Sequence, residues 1–304
     1  MKNSLSRRVR LLSVLGLATL QAVLGSVLPA SAAPGDIVAD VDTPEGEMVP
    51  QWAVAKAVAF DGQYLYYAEY AGNVLHRIDM PPPGASLAAG HTDIPIVGAP
   101  SGIMTIAYDR GRDTFWAVSG DGTTIYLLSK AGVATAQFMV DVVNGLPGNC
   151  KQQGGCSSEV KIAYDRTDDT LWYSPDTTSR VYHFKTTGDL MGNAVPVAST
   201  PYVDVDLAGN DFSPECGYNY VSGIATGGTD LFFENSSCNV YFEYSKTGTK
   251  VGAIQLNSTI TPSGGLTCDN LTYGASVIWM RDGWNPHIYA IEQPRANACA
   301  YGGG

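Results

Sequence analysis

The sequence predicts an all-β fold, a β-propeller of five four-stranded blades, on three observations. One strand pattern recurs five times between residues 58 and 291. The aromatic residue that marks each copy returns at near-even spacing. A strand-like segment directly behind the N-terminal leader supplies the strand that the last copy lacks. Self-similarity at such a period is the signature of a ring or array of supersecondary units.

The clearest copies are Val58-Ala-Phe-Asp-Gly-Gln-Tyr-Leu-Tyr66, Ile106-Ala-Tyr-Asp-Arg-Gly-Arg-Asp-Thr-Phe-Trp116 and Ile162-Ala-Tyr-Asp-Arg-Thr-Asp-Asp-Thr-Leu-Trp172. Weaker ones run from Ile224 to Phe232 and, aligned on Leu271-Thr-Tyr-Gly, from Leu271 to Trp279. Each is two apolar-alternating runs divided by an Asp/Gly/Thr turn. A third short strand follows at Val74, Ile125, Val181, Val240 and Ile288. Three strands at this spacing form an antiparallel meander.

Fourth strands are expected near Ile94–Val97, Ala136–Val142, Ala194–Val205 and Val251–Leu256. After Ile288–Ile291 the chain runs into Pro294 and ends, so the last blade needs a strand from elsewhere. Asp36–Asp42 has the right alternation, and pairing it there closes the ring and removes exposed sheet edges. The markers Tyr66, Trp116, Trp172, Phe232 and Trp279 stand 50, 56, 60 and 47 residues apart. The alternative, six blades, needs one further strand set.

Residues 1–33 read as a signal peptide. Lys2, Arg7, Arg8 and Arg10 precede an apolar run from Leu11 to Leu28, and the small residues Ala30 and Ala32 place cleavage after Ala32. The Arg7-Arg8 pair leaves twin-arginine export open beside the general route. Residues 34–304 are then a single propeller domain of a secreted or periplasmic bacterial protein. No later segment is long and apolar enough to span a bilayer, so no membrane insertion is expected. The leader carries four cations and no acid, so 29 acidic residues face 14 basic ones after its removal, a net charge of −15. Such a surface repels phosphate backbones and excludes nucleic acid as a partner. A monomer with an extracellular ligand or protein partner is expected.

Six cysteines in an exported chain imply disulfides, with fifteen possible pairings. Pairing of sequence neighbours is preferred: Cys150 with Cys156, Cys216 with Cys238, Cys268 with Cys299. Without a C-x-x-C pair or a histidine at ligand spacing, a zinc site in these cysteines is disfavoured.

The run Val58-Ala-Phe-Asp, then Leu65-Tyr-Tyr-Ala-Glu69 and Asn73-Val-Leu-His-Arg-Ile-Asp79, resembles the repeat of NHL, YWTD and gluconolactonase-type propellers. The resemblance covers nearly all of the chain behind the leader, is one of repeat grammar, and implies a fold rather than an activity. Propeller ligands sit at the mouth of the central channel, near the start of each innermost strand. There the chain offers Lys56, Met104, Thr105, Glu159, Lys161, Ser222, Gly223, Asp269 and Asn270. Gluconolactonase-type enzymes hold a divalent cation with Glu, Asn and Asp in such places, so the resemblance points to Glu159, Asp269 and Asn270. Oxygen ligands of this kind suit Ca2+ or Mg2+. The cation would polarise a carbonyl while a carboxylate acts as base.

A second candidate Ca2+ site is Asp204–Glu215. Read as a twelve-residue calcium loop, it places Asp204, Asp206, Gly209 and Glu215 at positions 1, 3, 6 and 12. Ala208 at position 5 and Pro214 depart from that pattern, and an ordinary acidic turn is the simpler reading. His76 and His183 occupy matching places in two third strands, which suggests structural roles. No G-x-S-x-G elbow or Ser/His/Asp context is present. Two functional readings follow: an exported propeller binding a protein, glycan or small molecule at one ring face, or a metal-dependent hydrolase or lactonase at the channel mouth.

Overall fold

The computed structural model describes residues 33–44, 55–80, 82, 90–140, 160–175, 178–217, 219–235, 238–256, 260, 262–283, 285–295 and 297–300. Numbered in chain order, the strands form five antiparallel four-stranded sheets. Blade 1 holds β2 (Ala55–Phe60), β3 (Tyr64–Glu69), β4 (Val74–Asp79) and β5 (His91–Pro95). Blade 2 holds β6 (Ile103–Asp109), β7 (Thr114–Ser119), β8 (Thr124–Ser129) and β9 (Ala134–Met139). Blade 3 holds β10 (Lys161–Asp165), β11 (Thr170–Ser174), β12 (Arg180–Lys185) and β13 (Tyr202–Asp204). Blade 4 follows a one-turn helix, α1 (Ser213–Cys216), with β14 (Gly223–Gly227), β15 (Asp230–Glu234), β16 (Val240–Ser245) and β17 (Lys250–Gln255). Blade 5 has β18 (Pro262–Asp269), β19 (Val277–Asp282) and β20 (His287–Glu292), and its fourth strand is β1 (Ile37–Asp42).

The ring closes as expected. β1 pairs antiparallel with β20, Val41 opposite Ile288 and Asp42 opposite His287. The first strands of the blades, β2, β6, β10, β14 and β18, neighbour one another in a closed circuit. Two of the expected disulfides are present, Cys216–Cys238 and Cys268–Cys299, with Cα atoms 5.3 and 5.2 Å apart. Cys150 and Cys156 lie outside the described residues. Among the described residues no helix is long and apolar enough to cross a membrane.

The core is divided into five apolar clusters, one between each pair of neighbouring blades. Strand alternation explains the division, since successive side chains leave opposite faces of a blade. The markers Tyr66, Trp116, Trp172, Phe232 and Trp279 all pack on the following blade. The residues just before them, Leu65, Phe115, Leu171, Leu231 and Ile278, all pack on the preceding one.

A buried indole brings an N–H that needs an acceptor. The repeat aspartate provides it: the Nε1 of Trp116, Trp172 and Trp279 donates to Asp109, Asp165 and Asp269 at 3.1, 3.3 and 2.9 Å. The other carboxylate oxygen accepts backbone N–H groups of the turn that follows, those of Gly111 and Arg112, Thr167, and Leu271 and Thr272. In blade 1, Asp61 caps its turn likewise, and burial together with the Asp61 charge pushes the Tyr66 phenol up to about 12.

Two sequence alignments shift by this register. The true fifth copy is Leu266-Thr-Cys-Asp269, because Asp269 rather than Gly274 accepts the Trp279 indole and ends the first strand. His76 lies opposite Tyr67, whereas His183 lies opposite Trp172, the residue matching Tyr66. One residue of offset puts the two histidines on opposite faces of their blades.

Candidate functional site

The shift of the fifth copy moves half of the expected channel site. Lys161 begins β10 opposite Ser174, while Asp269 ends β18 at its hairpin with Val277. The matching end of β10 is Asp165, four steps from Lys161, or about 13 Å along the strand. Lys161 and the Asp269–Asn270 pair therefore belong to opposite mouths of the ring. Asp269 is 2 % exposed and its oxygens are engaged by the Trp279 indole and the turn amides, whereas Asn270 is exposed. Glu159 and the Lys56 side chain lie outside what the structure describes. At the mouth where the first strands begin, Lys161, Ser222, Glu234 and Asn235 are buried. Gly223 makes room for one of them, since a Cβ there would collide with Cγ of Glu234.

The acidic loop does not gather its carboxylates. Asp204 accepts from Ser179 Oγ and Arg180 Nε, at 2.8 and 3.0 Å. Asp206 accepts from Asn219 at 2.5 Å, and both oxygens of Glu215 accept from Lys250 Nζ at 2.9 Å. Four different side chains hold the three acids, and among the described residues these do not form a metal-ligand cluster.

A cleft lies at the other mouth, where the first strands end. A cavity of about 70 Å³ is walled by Phe60, Tyr108 and Tyr164, with Arg110, Arg166 and Asn270 among the residues at its rim. Beside it a narrower space of about 30 Å³ is lined by the small residues Ala107, Ala163, Ala225 and Thr267. The aromatic rings are fixed by the turns behind them. Tyr108 donates to Asp113 at 2.6 Å and Tyr164 to Asp169 at 3.0 Å. Both aspartates take the left-handed conformation, with φ of 51° and 56°. Burial first, and then the bond to Asp113, pushes the Tyr108 phenol up to about 12. Burial also raises Tyr164, with the Asp109 charge and the Asp169 bond adding to it.

Ion pairs tie these turns across blades. Lys130 bridges Asp61 and Asp113 at 2.8 and 2.6 Å. Arg112 binds both oxygens of Asp169, at 2.6 and 2.9 Å, and also Asp109 at 2.6 Å. The Arg112 bond is the main cause that holds the Asp169 carboxyl below the usual range. Against this background Arg110 and Arg166 stand apart. Neither guanidinium has a hydrogen bond or ion pair among the described residues, while Arg112, Arg180 and Arg295 all engage carboxylates. Arg110 is exposed and extends over Gly62 of the neighbouring blade. The sequence carried a signal for this pair, the Tyr-Asp-Arg shared by the second and third copies.

No protein-family model and no curated protein sequence matches the chain. Among solved structures, glutaminyl cyclase of Myxococcus xanthus is similar at 11 % identity, over 84 % of this chain and 95 % of its own, with a TM-score of 0.53. A streptogramin B lyase covers 84 % of this chain and 97 % of its own at 13 % identity and a TM-score of 0.44. A chain of a nidogen/laminin complex covers 71 % and 85 % at 12 % identity and a TM-score of 0.45. At such identities the likeness to the glutaminyl cyclase is one of fold alone.

Proposed function

We propose that this protein is an exported binding propeller that holds the anionic head of a small ligand between Arg110 and Arg166. The observation that carries the reading is the absence of any partner for these two guanidinium groups among the described residues, in a chain of net charge −11 with 29 acidic residues. Arginine presents a planar fork of donors suited to carboxylate and phosphate. The cavity has room for a head group, with Phe60, Tyr108 and Tyr164 as an apolar wall beside it. The raised phenols favour recognition over proton transfer at this mouth, because both hydroxyls stay protonated and committed to aspartates at neutral pH.

A panel of small carboxylates, phosphates and sulfonates screened by thermal shift tests the reading. At least one should stabilise the wild type and lose its effect in Arg110→Ala/Arg166→Ala. Compounds that stabilise both proteins equally would remove the two arginines from the site. Export rests on the leader pattern and on the two disulfides. Cleavage after Ala32 leaves Ile37–Asp42 whole, and mass spectrometry of the exported protein should find Ala33 as its first residue.

A further inference from the structure

His76, His91 and Asp93 lie on the two outer strands of blade 1. His91 and Asp93 are two apart on β5, so their side chains leave the same face. His76 on β4 is directly opposite Asp93, and His91 is opposite Ile78. Asp93 Oδ1 is 2.8 Å from His76 Nδ1 and 3.0 Å from His91 Nε2. The three candidate ligand atoms all lie within 4.8 Å of one another. His76 is 5 % exposed and held in a ring stack, its centroid 4.7 Å from that of Tyr67 and 5.7 Å from that of His91.

We infer that this trio binds a divalent first-row transition ion, with zinc as the natural occupant. Zinc bonds to imidazole nitrogen and carboxylate oxygen are about 2.0–2.2 Å, so ligand atoms in a tetrahedral shell stand about 3.3 Å apart. The two separations from Asp93 Oδ1 need to open by only a few tenths of an ångström. Two imidazoles and one carboxylate favour zinc, copper or nickel over calcium and magnesium, which prefer all-oxygen shells. Three protein ligands leave a fourth position to water. The ion would clip β5, an edge strand whose five residues are mostly exposed, to the body of the blade. Asp40, Asp42 and His287 repeat the cross-strand arrangement in blade 5, with His287 Nδ1 2.8 Å from each carboxylate. With one imidazole shared by two acids, that cluster serves as an internal control.

The test is calorimetric titration of metal-stripped full-length protein with ZnCl2, with Co2+ absorption as a second readout of ligand geometry. One ion per chain is expected, together with a tetrahedral Co2+ spectrum. Loss of an outer-shell partner alone weakens metal sites by about 10–100-fold. Asp93→Asn and His91→Ala, which remove direct ligands at the blade's edge, should therefore cost at least about tenfold. His287→Ala should leave the affinity unchanged. Absence of zinc binding by the wild type, or binding that survives both Asp93→Asn and His91→Ala in folded protein, would overturn the site.

Discussion

Blades 3 and 4 solve one problem in two ways. In each, the turn between the first and second strands must be closed at the channel end. In blade 3 the closure is polar. Asp165 is fully buried, accepts the Trp172 indole and receives Lys246 Nζ, at 2.6 Å, from the last turn of blade 4. In blade 4 the aspartate is replaced by Gly227 and the tryptophan by Phe232, which has no donor to satisfy. The C-terminal segment lies there instead, so that a Cβ on Gly227 would meet Ala298 O, Cys299 Cα and, at 2.9 Å, Cys268 Sγ. The Cys268–Cys299 disulfide fixes that segment, and Arg295 within it pairs with Asp230 at 2.7 Å and with Glu243. A charge inside the repeat and a covalent bond outside it are thus interchangeable closures.

The largest break of this comparison should come from the covalent side. Cys268→Ser/Cys299→Ser opens a link between residues 31 apart and should cost about 2–5 kcal/mol in urea unfolding. Asp165→Ala strands a buried indole N–H and an ammonium. Loss of one partner of a buried pair costs about 3–5 kcal/mol, and the low end is expected because the Lys246 side chain, 21 % exposed, can turn to water. Asp165→Asn keeps an acceptor and should recover part of the loss. If Asp165→Ala is silent, the polar latch is an ornament of the repeat. Gly227→Ala should cost about 1–3 kcal/mol by forcing the C-terminal segment outward. Pairing it with the disulfide variant should shrink that cost, since the freed segment can yield.

The smallest effect sharpens the contrast by sign. Opposite Trp172 stands His183, stacked on the indole at 3.9 Å, and opposite Phe232 stands Glu243. Burial lowers the His183 pKa from 6.5, so its unfolded form binds the proton more readily and stability falls as pH drops below about 6.5. Burial raises the Glu243 pKa from 4.5 despite Arg295. Its contribution is therefore complete below 4.5 and is lost as pH rises through the raised value. Urea midpoints across pH 4–8 should flatten at the upper end of acidification in His183→Gln and shift oppositely in Glu243→Gln. Equal profiles for both variants would show that the two positions are equally solvated.

Most of the ring was legible because the repeat aspartate, the marker aromatic and the alternating strands are local in sequence. The repeat is hard to align where a turn changes length. Trp116 and Trp172 each follow their aspartate by seven residues, but Trp279 follows Asp269 by ten. Aligning on spacing moved the fifth copy along by five residues and carried Asp269 and Asn270 to the wrong mouth. A slip of one residue in the third strand made His76 look equivalent to His183 and hid the trio on blade 1. The cleft depends on which arginines lack partners. That is decided by side chains 50 or more residues away, such as Asp169 for Arg112, and no local pattern carries it.

The pairing of β1 with β20 also sets a clock. His287 and Asp40, bonded at the seam, are 247 residues apart. β1 is made long before its partner β20, so blade 5 stays incomplete until the strands of the other four blades have been made. Contacts of such separation form slowly.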